Sequence, residues 1–142
     1  MVAVDLTAPP FRLDAADVAW VEAALAAMTP DDRIAQLFVL ISRGSPAEQL
    51  TTLARLRPGG ITRFSGPDLA TEVGFVRDLI TASPVPPFLS ADLEGSRMSL
   101  PFGTAVPNPL GLAAVDDVSA TERIAAIMAR EASRWSRAAR QR

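Results

Sequence analysis

The chain has 142 residues, 49% hydrophobic and 21% charged, the composition of one soluble globular domain that can bury a core without a covalent staple. Net charge is −2 and all 14 basic residues are arginine, which gives no overall field for nucleic acid. Histidine and cysteine are both absent, so the commonest general base, zinc coordination and thiol chemistry drop out together and leave carboxylates, hydroxyls and guanidiniums.

Asp14 to Met28 carries Val18, Val21, Leu25 and Met28 at spacings of three and four behind a capping aspartate, which predicts an amphipathic helix. Thr29-Pro30-Asp31-Asp32 opens a second, short helix that includes Ile34 and Gln36: a capping hydroxyl, proline at the first helical position, acid in the first turn. Leu37 to Ile41 is a continuous apolar run ended by Ser42-Arg43-Gly44, expected to be a strand buried on both faces. Ser45-Pro46-Ala47-Glu48 has the spacing of a capping box, and Leu50, Leu53, Ala54 and Arg57 continue a helix that Pro58-Gly59-Gly60 stops.

Ile61 to Phe64 is the next strand, and Leu69, Val73, Val76, Leu79 and Ile80 mark the helix after it. Beyond Pro84 to Pro87, Phe88 to Ala91 reads as a third strand running into Asp92. Strands alternating with helices of this length imply right-handed crossovers and a parallel sheet, open or closed into a barrel. Leu93 to Asp117, with three prolines and three glycines, is expected to be a long functional loop with little regular structure. Ser119 to Glu122 is a further capping-box pattern, followed by a stripe of Ile124, Ile127, Met128 and Ala132.

In parallel α/β folds ligands lie beyond the carboxyl ends of the strands, which draws attention to Asp92-Leu93-Glu94-Gly95-Ser96-Arg97. Two carboxylates and a guanidinium beside a turn-permitting glycine can bind a polyhydroxylated ligand through charge-assisted hydrogen bonds. The same residues are also compatible with a plain surface turn, Asp92 capping the strand and Glu94 paired with Arg97. Arg63, at the end of the second strand, reads either as an exposed arginine or as a further residue of that mouth. Trp20, one position from Val21, is expected in the core; Trp135 has no assignment from pattern. Pro58-Gly59-Gly60 follows a helix and precedes a strand, the wrong order for a phosphate cradle.

Several segments, in order, resemble the N-terminal barrel of family 3 glycoside hydrolases, in particular the β-N-acetylhexosaminidase branch. Met28-Thr29-Pro30-Asp31-Asp32-Arg33-Ile34-Ala35-Gln36-Leu37-Phe38 looks like the opening M-T-x-x-[ED]-K-[IV]-x-Q-[LM] segment. Leu56-Arg57-Pro58-Gly59-Gly60-Ile61 resembles the P-G-G-[IV] element before the second strand. Ala91 to Arg97 resembles D-x-E-G-G-R-[VM], and Pro101-Phe102-Gly103 through Pro107 to Ala114 resembles the loop that follows. Four matches in one order are more specific than any single one.

The resemblance implies the first part of a TIM-like (β/α)8 barrel, incomplete, from an enzyme that removes β-linked glucose or N-acetylglucosamine from a non-reducing end with retention. It gives Asp92 the role of binding sugar hydroxyls beside the scissile bond and Arg97 a supporting role; Glu94 is a structural neighbour. Ser96 stands where the family has its second glycine. The family's Lys-His pair, acid/base and nucleophile belong to later segments, and this sequence contains neither Lys nor His, so no catalytic residue is expected in this chain. A retaining glycosidase needs two carboxyl groups about 5 to 5.5 Å apart. Asp92 and Glu94 could approach that spacing, at roughly 6 to 7 Å between Cα atoms on an extended segment, but both come from one turn. The chain alone is therefore expected to be inactive, with a non-catalytic carbohydrate-binding or inactive remnant protein as the alternative reading.

The resemblance covers residues 28 to 132, which sets the division expected here: 1–132 as barrel, 133–142 as an Arg-rich divergent tail whose pattern a shifted reading frame would explain. Five arginines and one glutamate from Arg130 to Arg142 read as a solvated end, with a nucleic-acid arm as the alternative. A carbohydrate is the expected ligand, with no metal, cofactor, nucleic acid or membrane partner, and a missing C-terminal half as a conceivable partner. Three strands of an eight-stranded barrel leave an open edge, so poor autonomous folding is expected. Without cysteine, a basic leader, or any run near the roughly 18 apolar residues of a membrane span, the expected location is the cytoplasm.

Overall fold

The computed structural model describes residues 4–140; residues 1–3 and 141–142, the last two being the end of the Arg-rich stretch, lie outside the described residues. In chain order the elements are α1 (Ala15–Ala27), α2 (Pro30–Ala35), β1 (Val39–Ser42), α3 (Pro46–Leu56), β2 (Gly60–Arg63), α4 (Leu69–Ala82), β3 (Phe88–Ser90), α5 (Pro109–Val115) and α6 (Val118–Arg140). The strands form one parallel sheet in the order β1-β2-β3. This is the strand–helix alternation of the N-terminal part of a (β/α)8 barrel.

Local chemistry explains most boundaries. Asp14 accepts hydrogen bonds from the Ala16 and Asp17 amides and so starts α1. Thr29 and Asp32 complete a capping box around Pro30, and α2 ends where Gln36 closes its last turn. The Gln36 side-chain Nε2 then donates to the Arg57 carbonyl at 2.9 Å, tying α2 to the end of α3. Arg57 itself ends α3, in the left-handed conformation with φ of 51°. The glycines expected to stop that helix serve another purpose: a Cβ on Gly59 would stand 2.0 Å from the Gln36 carbonyl oxygen, so the two backbones meet only because the residue is glycine.

The register defines two faces. Val39, Gly60 and Phe88 lie abreast on one side, with Ile41, Thr62 and Ser90 one layer on. Leu40, Ile61 and Leu89, then Ser42 and Arg63, point the other way, toward the helices. The core lies on this helical side and consists of Leu53, Ile61, Phe75, Val76, Leu79, Leu100 and Trp135. At roughly 1.5 to 3 kcal/mol per fully buried apolar side chain, this cluster is the main source of stability.

The opposite sheet face is open. Val39, Ile41 and Phe88 are 62%, 65% and 82% exposed, so β1 is not the doubly buried strand that its apolar run predicts. Apolar continuity identifies a strand that belongs against two layers, and here only the helical layer covers it. Trp20 also departs from expectation: it is 54% exposed. One residue along a helix is a rotation of about 100°, which carries Trp20 off the stripe, of which Val18, Val21 and Met28 are half-buried and Leu25, against expectation, is 49% exposed.

Three further expectations change. Ser45 makes no side-chain cap bond. α6 starts behind Asp117, whose carboxylate accepts from the Ser119 amide at 2.8 Å, two residues earlier than the Ser119 capping box predicts. The loop expected between Leu93 and Asp117 contains α5, because Asn108 caps it and Pro109 occupies the first helical position, where proline favours a helix. Finally, α6 runs without interruption across residues 132 and 133. Trp135 is 6% exposed and packs 6.4 Å from Phe102 between ring centroids, and Arg77 of α4 donates to the Ala138 carbonyl. This part of the Arg-rich stretch is a packed helix and not a solvated end.

Candidate functional site

The carboxyl ends of the strands converge on Arg63. Its Nε and Nη2 donate to the two carboxylate oxygens of Glu72 at 2.9 and 2.8 Å, Nη1 to the Ser42 hydroxyl and Nη2 also to the Gly44 carbonyl. The guanidinium carbon stands 4.7 Å from the centre of the Phe75 ring. The Arg63 and Glu72 side chains are each 1% exposed, which removes the exposed reading of Arg63. Glu72 projects from the same face of α4 as Phe75, Val76 and Leu79, so a carboxylate occupies the apolar stripe of the helix and meets the one cation facing it from the sheet.

Asp92 follows β3 by two residues. Beyond it the chain makes a narrow reverse turn: the Glu94 and Gly95 amides both donate to the Met98 carbonyl, and the Met98 amide donates back to Gly95. The turn is fastened from outside by the Ser96 amide donating to Val106 at 2.8 Å. Gly95 has φ of +91°, and Ser96, in place of the family's glycine, adopts +52°.

This turn brings Asp92 and Arg97 to one small cleft of about 80 Å³, which Arg63, Ser65, Ser99 and Pro101 also line. The hydroxyls of Ser65 and Ser99 are buried without a hydrogen-bond partner. Glu94 is exposed and does not line the cleft. The ion pairs among the described residues are Asp32–Arg57, Arg63–Glu72 and Asp117–Arg123, so the Glu94–Arg97 surface pair does not form. The cleft thus offers a carboxylate acceptor and a guanidinium donor, with the Ser65 and Ser99 hydroxyls buried in its wall. Its volume is well below the roughly 300 to 1,000 Å³ of a closed ligand pocket, so it can hold one edge of a sugar-sized molecule. A wider, mainly apolar cleft of about 370 Å³ opens between the loop at residues 100–103 and α6, lined by Leu69, Phe102, Glu131, Arg134 and Trp135.

Carboxylates held below their usual range lie outside the small cleft. The Thr29 hydroxyl is the chief cause for Asp32, Thr71 for Asp68, Ser119 for Asp117 and Thr104 for Glu131, each helped by backbone amides. Three of these are helix caps, and the fourth, Glu131, anchors the loop at Thr104 to α6.

Sequence reasoning singled out Asp92, Arg97 and Arg63, and the three meet at one cleft. Glu72, Ser65 and Ser99 were missed. Glu72 had a readable signal, an acid at the spacing of an apolar stripe; the serines had none, since nothing local tells a buried hydroxyl from an exposed one.

A parallel α/β unit with polar side chains gathered at the carboxyl ends of its strands has the arrangement of a barrel-type segment. Over 133 residues the chain is 37% identical to the beta-N-acetylglucosaminidase/beta-glucosidase of Cellulomonas fimi, a match that covers 91% of this chain and 23% of that protein. Among solved structures, beta-glucoside phosphorylase BglX bound to 2FGlc superposes with a TM-score of 0.70 at 25% identity, over 87% of this chain and 23% of that one. No protein-family model matches the chain. By these likenesses the chain is similar to part of the N-terminal barrel of family 3 glycoside hydrolases. It spans about a quarter of the length of both relatives.

Proposed function

We propose that this chain supplies the sugar-binding edge of a family 3 barrel and does not by itself cleave a glycosidic bond. The observation that carries this reading is the convergence of Asp92 and Arg97 on one cleft beyond the carboxyl ends of the strands. Asp92 accepts hydrogen bonds from neighbouring sugar hydroxyls, a charge-assisted pairing stronger than neutral ones. Arg97 donates from the opposite side of the turn. The sugar is a β-linked N-acetylglucosamine or glucose at a non-reducing end, the class that the Cellulomonas relative's name describes.

Cleavage with retention needs a nucleophile and an acid/base on opposite sides of the sugar. Asp92 is the one carboxylate lining the cleft, and the sequence has no Lys or His for the family's substrate-binding pair. Turnover therefore requires further barrel strands from another polypeptide segment, and the uncovered face of Val39, Ile41 and Phe88 is where they would pack. The division at residue 132 rests on the family-like pattern alone, since α6 runs across it.

Purified, monodisperse chain incubated with aryl β-glucoside and aryl β-N-acetylglucosaminide, with Asp92→Ala in parallel, tests the catalytic half of this reading. No turnover of either substrate is expected, with phosphate present or absent. Turnover that disappears in Asp92→Ala would mean that the chain carries a working site.

A further inference from the structure

Buried ion pairs contribute little net stability, because removing both charges from water offsets their attraction, and apolar residues of similar volume often serve as well. The Arg63–Glu72 pair nevertheless stands buried where the end of β2 meets the first turn of α4, and four hydrogen bonds from one guanidinium fix its orientation. Those bonds reach two loops. Nη1 and Nη2 hold Ser42 at the end of β1 and Gly44 in the loop after it; Glu72 Oε1 accepts in addition from the Gly66 amide at 2.9 Å, holding the loop after β2. Ser65, between Arg63 and Gly66, is thus fastened on both sides and lines the cleft with Asp92, its own hydroxyl buried without a partner.

We propose that Arg63 and Glu72 are a positioning pair that sets the β2–α4 loop so that Ser65 borders the same ligand cleft as Asp92. The ligand named here rests on the carbohydrate reading above; the positioning of the loop does not. Charge alone does not accomplish this, since the carboxylate must span from the guanidinium to the Gly66 amide. An apolar pair fills the space and leaves the Gly66 amide without its acceptor. An aspartate keeps the charge and loses the reach.

Two variants of the full chain separate positioning from packing: Arg63→Met with Glu72→Leu, which keeps volume, and Glu72→Asp, which keeps charge. Amide hydrogen exchange of Gly66 is measured in each, together with amide shifts on titration with N-acetylglucosamine. In the parent chain Gly66 is protected and the sugar shifts the amides of Ser65–Gly66 as well as Asp92–Arg97. In both variants Gly66 exchanges about five- to tenfold faster, the loss of one hydrogen bond, and the Ser65–Gly66 shifts vanish while weaker ones at Asp92–Arg97 persist. Unchanged Gly66 protection in either folded variant overturns the proposal, as does an unprotected Gly66 in the parent chain. Sugar that moves no amide, with the exchange pattern as stated, contradicts the carbohydrate reading and leaves the positioning role supported.

Discussion

Gly95 and Pro107 approach so closely that a Cβ on Gly95 would stand 1.9 Å from the Pro107 carbonyl oxygen. With φ of +91°, Gly95 is fixed as glycine by both conformation and space. Gly95→Ala should therefore cost about 2 to 4 kcal/mol, from left-handed strain together with overpacking against backbone. Its neighbour reverses the sign. Ser96 holds φ of +52° with a side chain, so Ser96→Gly should be neutral to stabilising, by up to about 1 kcal/mol, part of the relief being offset by the entropy of the freer unfolded chain. Denaturant midpoints of the two variants measure both effects; a stabilised Gly95→Ala would mean that the turn is not held as described.

Trp135 tests whether the Arg-rich stretch belongs to the folded unit. Trp135→Ala should lose roughly 3 to 5 kcal/mol, the usual cost of emptying a buried aromatic site. Arg137→Ala, on an exposed position of the same helix, should stay within about 0.5 kcal/mol of the parent. Equal, small effects in urea unfolding would show residues 133–138 to be detached from the core.

The open sheet face makes association the expected behaviour. Val39, Ile41 and Phe88 present a contiguous apolar patch, which soluble monomers rarely leave uncovered. Light scattering coupled to size exclusion should show mass rising with concentration, and Ile41→Ser with Phe88→Ser should return the chain toward monomer. A parent chain that is monomeric at every concentration, with one cooperative thermal transition, would contradict this.

Acid should unfold the protein late. The folded pKa values of Asp32, Asp68, Asp117 and Glu131 are lowered, so the stability they contribute is present above their unfolded values, near 4, and is lost as pH falls through the folded ones. With no histidine, no side chain of ordinary pKa titrates between about pH 5 and 8. Melting temperature should be level from pH 7 to 5 and decline below 4, and Thr104→Ala should make that decline shallower by removing the chief partner of Glu131. A decline already complete by pH 5 would point to a titrating group other than these.

The alternation of strands and helices was readable because periodicity, caps and turn residues agreed at nearly every junction. Thr29-Pro30 and Asp14 acted as their chemistry predicts. Where the reading failed, a local signal had two uses. Pro109 resembles a loop residue and serves as the first residue of α5; Gly59 resembles a helix stop and serves as a contact point for Gln36. The run Leu37 to Ile41 correctly announces a strand meant for burial, yet how much of it is covered depends on what packs against it. Asp92 and Arg97 were legible as a polar turn after a strand; that Glu72 would reach across to Arg63 depends on how α4 rotates against β2, which no local pattern encodes.

The most direct test of the account is titration of isotopically labelled chain with N-acetylglucosamine and with glucose, followed by amide shifts, with Asp92→Ala alongside. The account predicts weak binding, with Kd on the order of millimolar for so open a cleft, with shifts centred on residues 91–99 and lost in Asp92→Ala although its melting temperature is unchanged. Shifts absent from that turn in the parent chain, or retained undiminished in Asp92→Ala, would contradict the assignment of a sugar-binding edge to this protein.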